Sequence, residues 1–148
     1  MVYTCQYQSP MGDILLAADE IGLTGLWFVG QKYFAHTNFT PPLHPIGSAF
    51  RQDVWQILLQ IPYGQTTTYG EIARQLSKKH GIAHMSAQAV GGAVGHNEVS
   101  IIIPCHRVVG TNGSLTGYAG GIDKKIRLLE LEKTDMTNFF IPKKGTAL

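Results

Sequence analysis

Short runs of apolar residues alternate with turn-forming segments over residues 1–47. The runs VYTCQYQ, ILLAA and LTGLWF are separated by SPMGD and DEIG, where glycine, proline and acidic residues favour turns. This pattern predicts a three-strand antiparallel meander. The segment TPPLHP carries prolines at positions 41, 42 and 45 and is interpreted as a linker after the sheet.

Beyond residue 47 the apolar residues recur with the spacing of an amphipathic helix. Ser48 precedes this stripe and is expected to be its N-cap, and the segment IPYG ends it. The stripe consists of Phe50, Val54, Ile57, Leu58 and Ile61. A first helix is therefore predicted to begin after Ser48.

Two shorter helical segments follow. Thr68 and Glu71 have the spacing of a capping box at the start of YGEIARQL, and Ser86 opens SAQAVGGAV. The two segments resemble a helix-turn-helix, although the connection SKKHGIAHM is longer than the usual turn. Three glycines in and beside the last segment each cost roughly 1 kcal/mol relative to alanine in a helix. They fit close helix packing and close approach of another backbone, such as that of a nucleic acid, equally well.

The remaining pattern predicts a strand at SIIIP, a hairpin turn at Asn112–Gly113 and a last helix at IDKKIRLLELE. The final segment, TDMTNFFIPKKGTAL, is expected to be ordered at first and to end in a loose tail. Together the elements predict an α+β protein with two domains. Residues 1–47 form a small antiparallel-sheet domain and linker, and residues 48–148 form a mainly helical domain with a helix-turn-helix.

The composition indicates a globular protein that does not cross a membrane. The chain has 148 residues, of which 44% are hydrophobic, and no apolar run approaches the ~20 residues of a membrane span. The N-terminus lacks the basic-then-apolar layout of a signal peptide. We therefore expect a soluble intracellular protein, in the cytoplasm or, if it has access to DNA, associated with the nucleoid or nucleus. We also expect it to be a monomer.

Charge is distributed unevenly along the chain. Residues 1–47 hold one Lys against three Asp and Glu, whereas residues 48–148 hold eleven Lys and Arg against seven Asp and Glu. A polyanionic partner would therefore prefer the second domain. This preference is weak evidence by itself, because many domains of similar charge bind no nucleic acid.

The cysteines and histidines do not predict a metal site. Cys5 and Cys105 are one hundred positions apart and form no CxxC pair. His80 and His84 have a helical spacing, but Gly81 lies between them, so solvated loop histidines are the favoured interpretation. We expect no metal and no cofactor.

The segment IIIPCHRVVG places a thiol, an imidazole and a guanidinium in consecutive positions at the end of an apolar run. Only a few per cent of an ordinary thiol is ionised at neutral pH, so a nucleophilic Cys105 needs a base. Neighbouring side chains on a strand point to opposite faces, so either the backbone turns at Pro104 or a water links Cys105 to His106. Glu132 is a candidate to fix the imidazole tautomer. The alternative is that Cys105 is an inert buried thiol.

Several motifs, in order, resemble those of the methylated-DNA–protein-cysteine methyltransferases, also called O(6)-alkylguanine-DNA alkyltransferases. IPCHRVV resembles their active-site signature, IPYGQTTTYGEIA the entry to their helix-turn-helix, and AVGGAVGHN their DNA-contacting helix and asparagine turn. GYAGGIDKKIRLLELE resembles their substrate loop and last helix. The resemblance covers about residues 48–133 and implies a winged helix-turn-helix-like domain that carries the active site.

The resemblance also implies roles for five site residues. Cys105 would accept an alkyl group from the 6-oxygen of guanine, with the 4-oxygen of thymine as a second candidate. His106 would take the thiol proton through a water, and Glu132 would orient His106. Asn97 would brace the active-site turn, and Tyr118 would donate a hydrogen bond to the leaving guanine.

Substrate and DNA contacts are implied in the same way. Main-chain groups of Cys105 and Val108 would read the guanine edge, Tyr69 would crowd the phosphate that rotates, and Ala119 would border the alkyl group. The residues expected to contact double-stranded DNA with an alkylated guanine are Ser86, Gln88, Ala89, Gly91, Gly92 and Arg107.

Two positions depart from the family pattern. Gln88 stands where the family has an arginine that fills the space of the flipped base, which affects base extrusion. At the position of Ala119, relatives often have a small or hydroxyl residue. The residue at this position affects the fit of bulky alkyl groups.

Two other functions are compatible with parts of the sequence. An alkyltransferase-like protein binds the lesion without repairing it, but such proteins lack the acceptor cysteine, which is present here as Cys105. A winged-helix regulator with a redox-sensing thiol is the second alternative. Transfer of a labelled methyl group from DNA to protein would exclude it, and promoter-specific footprinting would favour it.

Overall fold

A computed structural model describes residues 3–30, 43 and 45–143 of the chain. The first three elements are β1 (Tyr3–Ser9), β2 (Gly12–Ala18) and β3 (Leu23–Phe28). They form one antiparallel sheet in the order β1-β2-β3, as the alternating pattern predicts. Strand β1 is exposed along most of its length, whereas β3 is largely buried. Prolines 41 and 42 of the expected linker lie outside the described residues.

The second part of the chain is mainly helical. Ser48, Thr68 and Ser86 are the N-caps of its first three helices, and each side chain accepts a hydrogen bond from the backbone N–H three residues further on. The predicted helix starts are therefore confirmed. The helices are α1 (Ala49–Leu58), α2 (Tyr69–His80), α3 (Ala87–Gly95) and α4 (Ile122–Leu131).

Helices α2 and α3 form the helix-turn-helix pair. Helix α2 runs four residues beyond the predicted YGEIARQL and ends at Gly81, which has the left-handed backbone conformation (φ 64°) that glycine adopts without strain. The connection is therefore residues 81–86, shorter than the sequence pattern indicated. Strand β4 (Thr67–Thr68), just ahead of α2, pairs in parallel with β5 (Val108–Val109).

The predicted strand at SIIIP is wrong. The backbone turns there, with the N–H of Ile102 donating to Ser100 O (2.9 Å) and that of Ile103 to Val99 O (3.0 Å). Ile101 has a positive φ of 73°, which a β-branched residue adopts only where its surroundings enforce it. A run of three isoleucines favours a strand locally, but the tertiary fold requires tight turns at this point. The turn at Asn112–Gly113 is present, with Gly113 N bonded to Gly110 O (2.9 Å).

The sheet and the helical part share one apolar core. Ile14 and Phe28 belong to the same buried cluster as Val54 and Leu58 of α1. The predicted boundary between residues 47 and 48 falls just before α1 and remains a prediction. Within the described residues, no helix is both long and apolar enough to cross a membrane.

Strand β3 also pairs directly with the segment that leads into the IPCHRV region. Leu26 N donates to Glu98 O and Ser100 N donates to Leu26 O, both at 2.8 Å. The N-terminal sheet therefore positions the backbone between α3 and Cys105. The sequence pattern contained no signal for this pairing, because a single bridge between distant segments leaves no periodicity.

Candidate active site

Cys105 lies at the first position of a single 3₁₀ turn, Cys105–Arg107, and its side chain is only 3% exposed. Its backbone N–H donates to Ile103 O at 2.8 Å. Of the two arrangements left open by the sequence, the structure shows the backbone turn at Pro104. This turn places the thiol in the core cluster rather than on a strand face.

Asn97 holds this turn in place from the end of α3. Its Nδ2 donates to Ile103 O (2.7 Å) and to Cys105 Sγ (3.0 Å), and its Oδ1 accepts from Val99 N (3.0 Å). Asn97 is 3% exposed, so these bonds are shielded from water. The side chain thus links both ends of the segment.

His106 and Glu132 form the second part of the site. His106 is fully buried, and its Nε2 lies 2.9 Å from Glu132 Oε1. Because a carboxylate only accepts hydrogen bonds, we assign the proton of the neutral imidazole to Nε2. Nδ1 is then the basic nitrogen, and it has no partner among the described residues. Burial lowers the pKa of His106 although Glu132 raises it, so the imidazole is neutral at neutral pH.

Arg107 points into the protein rather than away from it. Its Nε and Nη2 donate to the two carboxylate oxygens of Glu132 at 2.8 and 2.7 Å, and its Nη1 donates to Ile61 O at 2.6 Å. From the sequence, Arg107 is expected to contact DNA, as the family resemblance implies. The geometry favours a different role, the positioning of Glu132, because the guanidinium already has three internal acceptors.

Glu132 is therefore held as a carboxylate. Burial raises its pKa, but bonds from Arg107, His106 and the N–H of Gly64 outweigh this effect and lower the pKa to about 2. A charged Glu132 keeps the proton on Nε2 of His106 and would stabilise an imidazolium at this position.

Glu132 should make the protein sensitive to acid. Its pKa is about 2 in the folded state, against an ordinary value of 4.5. The carboxylate therefore contributes stability above pH 4.5, and this contribution is lost as the pH falls to about 2. In Glu132→Gln, the loss of unfolding free energy over this interval should be smaller. Urea unfolding of the parent and of Glu132→Gln at several pH values in this interval measures the unfolding free energy. If it falls with pH equally steeply in both proteins, the prediction is wrong.

The thiol of Cys105 is protonated in the resting protein. Burial raises its pKa, and the Nδ2 donor of Asn97, the charge of Lys125 and nearby backbone N–H groups lower it only in part. A protonated thiol beside a neutral imidazole is the starting state for base-assisted attack. Tyr118 lies edge-on to the His106 ring, with centroids 6.5 Å apart, and burial raises the pKa of its hydroxyl, so it remains a hydrogen-bond donor.

A groove of about 480 Å³ lies between the start of α2, the start of α3 and the segment 110–117. Tyr69 lines it, and its hydroxyl donates to Thr116 O at 3.1 Å. Gln88 and Gly91 of α3 also line it. Val108 is fully buried, so only its main chain can read a substrate, whereas Ala119 is partly exposed.

The other expected DNA-contact residues lie along the first two turns of α3, where Gly91 is buried and Gly92 partly buried. Ser86, Gln88 and Ala89 are exposed there. A Cβ on Gly92 would have no protein atom within 4 Å beyond its own helix. At Gly92 the structure therefore favours approach from outside over helix packing.

Sequence reasoning missed Lys125, which is fully buried beside the site. Its position one turn before Leu128 and Leu129 on α4 is the signal that could have revealed it, because a lysine on the apolar stripe of a helix is unusual. The ion pair between Arg107 and Glu132 was also missed, since residues 25 apart in sequence show no common pattern.

These features define a class of protein in which a buried cysteine and a histidine–carboxylate pair lie within a helix-turn-helix domain. Residues 49–134 match the family described as 6-O-methylguanine DNA methyltransferase, DNA binding domain. Relatives over most of the chain agree with this match. The chain therefore belongs to the 6-O-methylguanine DNA methyltransferase family.

The curated relatives include proteins named methylated-DNA–protein-cysteine methyltransferase. The one from Mycobacterium bovis is 40% identical, over 94% of this chain and 99% of its own length. The one from Methanosarcina acetivorans is 38% identical, over 88% of this chain and 98% of its own. A crystal structure of Mycobacterium tuberculosis OGT in complex with DNA is 41% identical, with a TM-score of 0.79 and coverage of 89% and 93%.

Proposed function

We propose that this chain repairs DNA by transferring a methyl or other alkyl group from the 6-oxygen of guanine to its own Cys105. The observation that carries the proposal is the buried arrangement of Cys105, Asn97, His106 and Glu132, together with the family membership. The 4-oxygen of thymine is a second candidate donor. The partner is double-stranded DNA with an alkylated guanine, bound by a monomer in the cytoplasm.

The chemistry follows from the protonation states. Nδ1 of His106 takes the proton of Cys105 through a water, and the sulfur attacks the alkyl carbon. The carbon–oxygen bond breaks, its electrons pass to the guanine, and Tyr118 donates a hydrogen bond to the developing negative charge. The guanine finally gains a proton in place of the alkyl group. The new thioether is stable in water, so each molecule reacts once.

The target atom is inaccessible inside a duplex, so the nucleotide must rotate out of the stack, at a cost of a few kcal/mol. The exposed start of α3 supports sequence-independent DNA contact, because small residues and a helix N-terminus suit backbone phosphates. The groove between Tyr69 and Gln88 lies beside these residues.

The redox-sensor alternative is less well supported. Sensor thiols combine accessibility with a low pKa, whereas Cys105 is buried and its pKa is raised. The lesion-binding alternative conflicts with the presence of Cys105 in contact with Asn97.

The test is incubation with a duplex that contains O6-methylguanine, followed by intact-protein and peptide mass spectrometry. We expect a mass gain of one CH₂ unit per molecule, mapped to Cys105. The exposed Cys5 provides an internal control. Repeated turnover, or the methyl group on Cys5, would contradict the proposal.

Gly92→Ala should change stability and DNA affinity in opposite directions. The added methyl group has free space and should stabilise α3 by up to roughly 1 kcal/mol, but it would obstruct a DNA backbone that lies against the helix. Thermal unfolding and duplex titration measure the two effects. Unchanged duplex affinity would show that DNA does not approach Gly92.

Gln88 should fill the space of the flipped base without attracting phosphates. We expect Gln88→Ala to slow repair of duplex DNA but to leave reaction with the free modified base almost unchanged. Gln88→Arg should strengthen duplex binding and steepen its salt dependence by up to about one counterion. Single-turnover rates and binding at several salt concentrations provide the measurement. Equal slowing on both substrates by Gln88→Ala would assign Gln88 to the support of the active-site fold.

A further inference from the structure

Tyr63 is an exposed tyrosine for which the reaction outlined above has no role, yet it makes two specific contacts. Its side chain is 68% exposed. The hydroxyl donates to Leu131 O at 2.9 Å, and the guanidinium carbon of Arg107 lies over the ring, 5.8 Å from its centroid. A cation at this distance is attracted by the negative face of an aromatic ring. Both contacts lead to Glu132, which follows Leu131 in the chain and forms an ion pair with Arg107.

The other residues of the turn 61–64 contact the same ion pair through their backbone. Ile61 O accepts from Arg107 Nη1 at 2.6 Å, and Gly64 N donates to Glu132 Oε2 at 3.1 Å. Gly64 has a positive φ of 75°, and a Cβ at this position would lie 2.9 Å from Glu132 O. A glycine therefore lets the turn approach the end of α4 more closely than a larger residue would allow.

The ring of Tyr63 is the exposed layer of this arrangement, because Arg107 and Glu132 are largely buried beside it. Ion pairs are weaker where water and salt reach them, so an aromatic face on the guanidinium strengthens the pair without adding a charge. The position of the carboxylate matters for the site, since Glu132 Oε1 lies 2.9 Å from Nε2 of His106.

We propose that Tyr63 is a positioning residue for the pair of His106 and Glu132. Its ring covers the guanidinium of Arg107, and its hydroxyl fixes the end of α4 to the turn 61–64. Together these contacts hold the carboxylate within hydrogen-bond distance of the imidazole. This inference deepens the proposed function and rests on it for the transfer step, but the cover over Arg107 can be measured without DNA.

The test compares Tyr63→Leu, Tyr63→Phe and the matched control Tyr7→Leu. Leucine keeps an apolar side chain without an aromatic face, whereas phenylalanine keeps the ring and loses the hydroxyl. Tyr7 is similarly exposed, at 57%, but lies on β1 of the N-terminal sheet. Exchange of the Arg107 Nε–H with water is followed by NMR. Single-turnover transfer and duplex affinity are measured in parallel, and circular dichroism reports folding.

We expect the Nε–H of Arg107 to exchange about two- to fivefold faster in Tyr63→Leu than in the parent, because the loss of one cation–π contact at an exposed site changes an equilibrium by about this factor. Transfer at saturating duplex should slow by a similar factor, while duplex affinity stays that of the parent. Tyr63→Phe should restore the exchange rate, because the ring is kept. Tyr7→Leu should match the parent in every measurement.

An exchange rate in Tyr63→Leu equal to that in Tyr7→Leu would overturn the proposal, and so would equally fast exchange in Tyr63→Leu and Tyr63→Phe. Backbone N–H groups throughout the core provide a further control. If their exchange in Tyr63→Leu accelerates as much as that of Arg107, the substitution lowers stability in general and the proposal is wrong. Equal transfer rates for Tyr63→Leu and an active parent would also rule out the positioning role.

A second measurement applies if Tyr63→Leu fails to fold. In the parent, NMR should show cross-peaks between the ring protons of Tyr63 and the side-chain protons of Arg107, and their absence would overturn the proposal. If the parent transfers no methyl group, the proposed function fails, while the exchange measurement still decides whether Tyr63 covers Arg107.

Discussion

Cys105→Ser is expected to reduce alkyl transfer to the background rate while duplex binding stays close to that of the parent. A hydroxyl is far less acidic and less nucleophilic than a thiol, and His106 cannot compensate for this difference. Cys105 is buried, so its replacement leaves the exposed surface of α3 unchanged. Asn97 can donate to the serine oxygen as it donates to the sulfur, so the turn should be retained. Label transfer from methylated duplex and a binding titration provide the measurement.

Cys5→Ser is the matched control for this substitution. Cys5 is exposed on β1, far in sequence from the site, and its change should leave transfer intact. Residual transfer by Cys105→Ser at a rate near that of the parent would show that another group accepts the alkyl. Loss of transfer in Cys5→Ser would assign the first strand an unexpected part in the reaction.

Glu132→Gln should lower both the transfer rate and the stability. The carboxylate of Glu132 accepts hydrogen bonds from His106, Arg107 and the N–H of Gly64. In the glutamine side chain, an NH₂ group that donates hydrogen bonds takes the place of one of the two accepting oxygens. The guanidinium would lose its counter-charge in a site where the two residues are 14% and 8% exposed. We expect a loss of about 2 kcal/mol or more in unfolding free energy. Transfer should slow about 10²-fold, since a positioned base contributes roughly 10²–10⁴.

The control for Glu132→Gln is Arg107→Gln, which removes the ion pair but keeps the bond between Glu132 and His106. It should lose comparable stability and retain more of the transfer rate. Rates are compared over a pH series at a temperature where both proteins are folded, and duplex affinity is measured in parallel. Equal rates for parent and Glu132→Gln across the series would show that Glu132 does not assist His106.

The sequence predicted the elements whose signals are local. Ser48, Thr68 and Ser86 begin helices because a short polar side chain can satisfy a free backbone N–H within its own turn. The strands of the N-terminal sheet follow from alternation and glycine- or proline-containing turns. Cys105, His106 and Glu132 are candidates from the chemistry of IIIPCHRVVG and from motif resemblance, but their mutual distances were not predictable.

What the sequence by itself determined is the class of protein, the helix starts and the candidate nucleophile, because the signals for each lie in neighbouring residues. Only the tertiary structure decided the path of residues 100–104. There the pairing of Leu26 with Glu98 and Ser100 and the brace of Asn97 override the strand preference of three isoleucines. It also decided the inward direction of Arg107 and the burial of Lys125. Both depend on acceptors from distant segments, which come together only when the core forms.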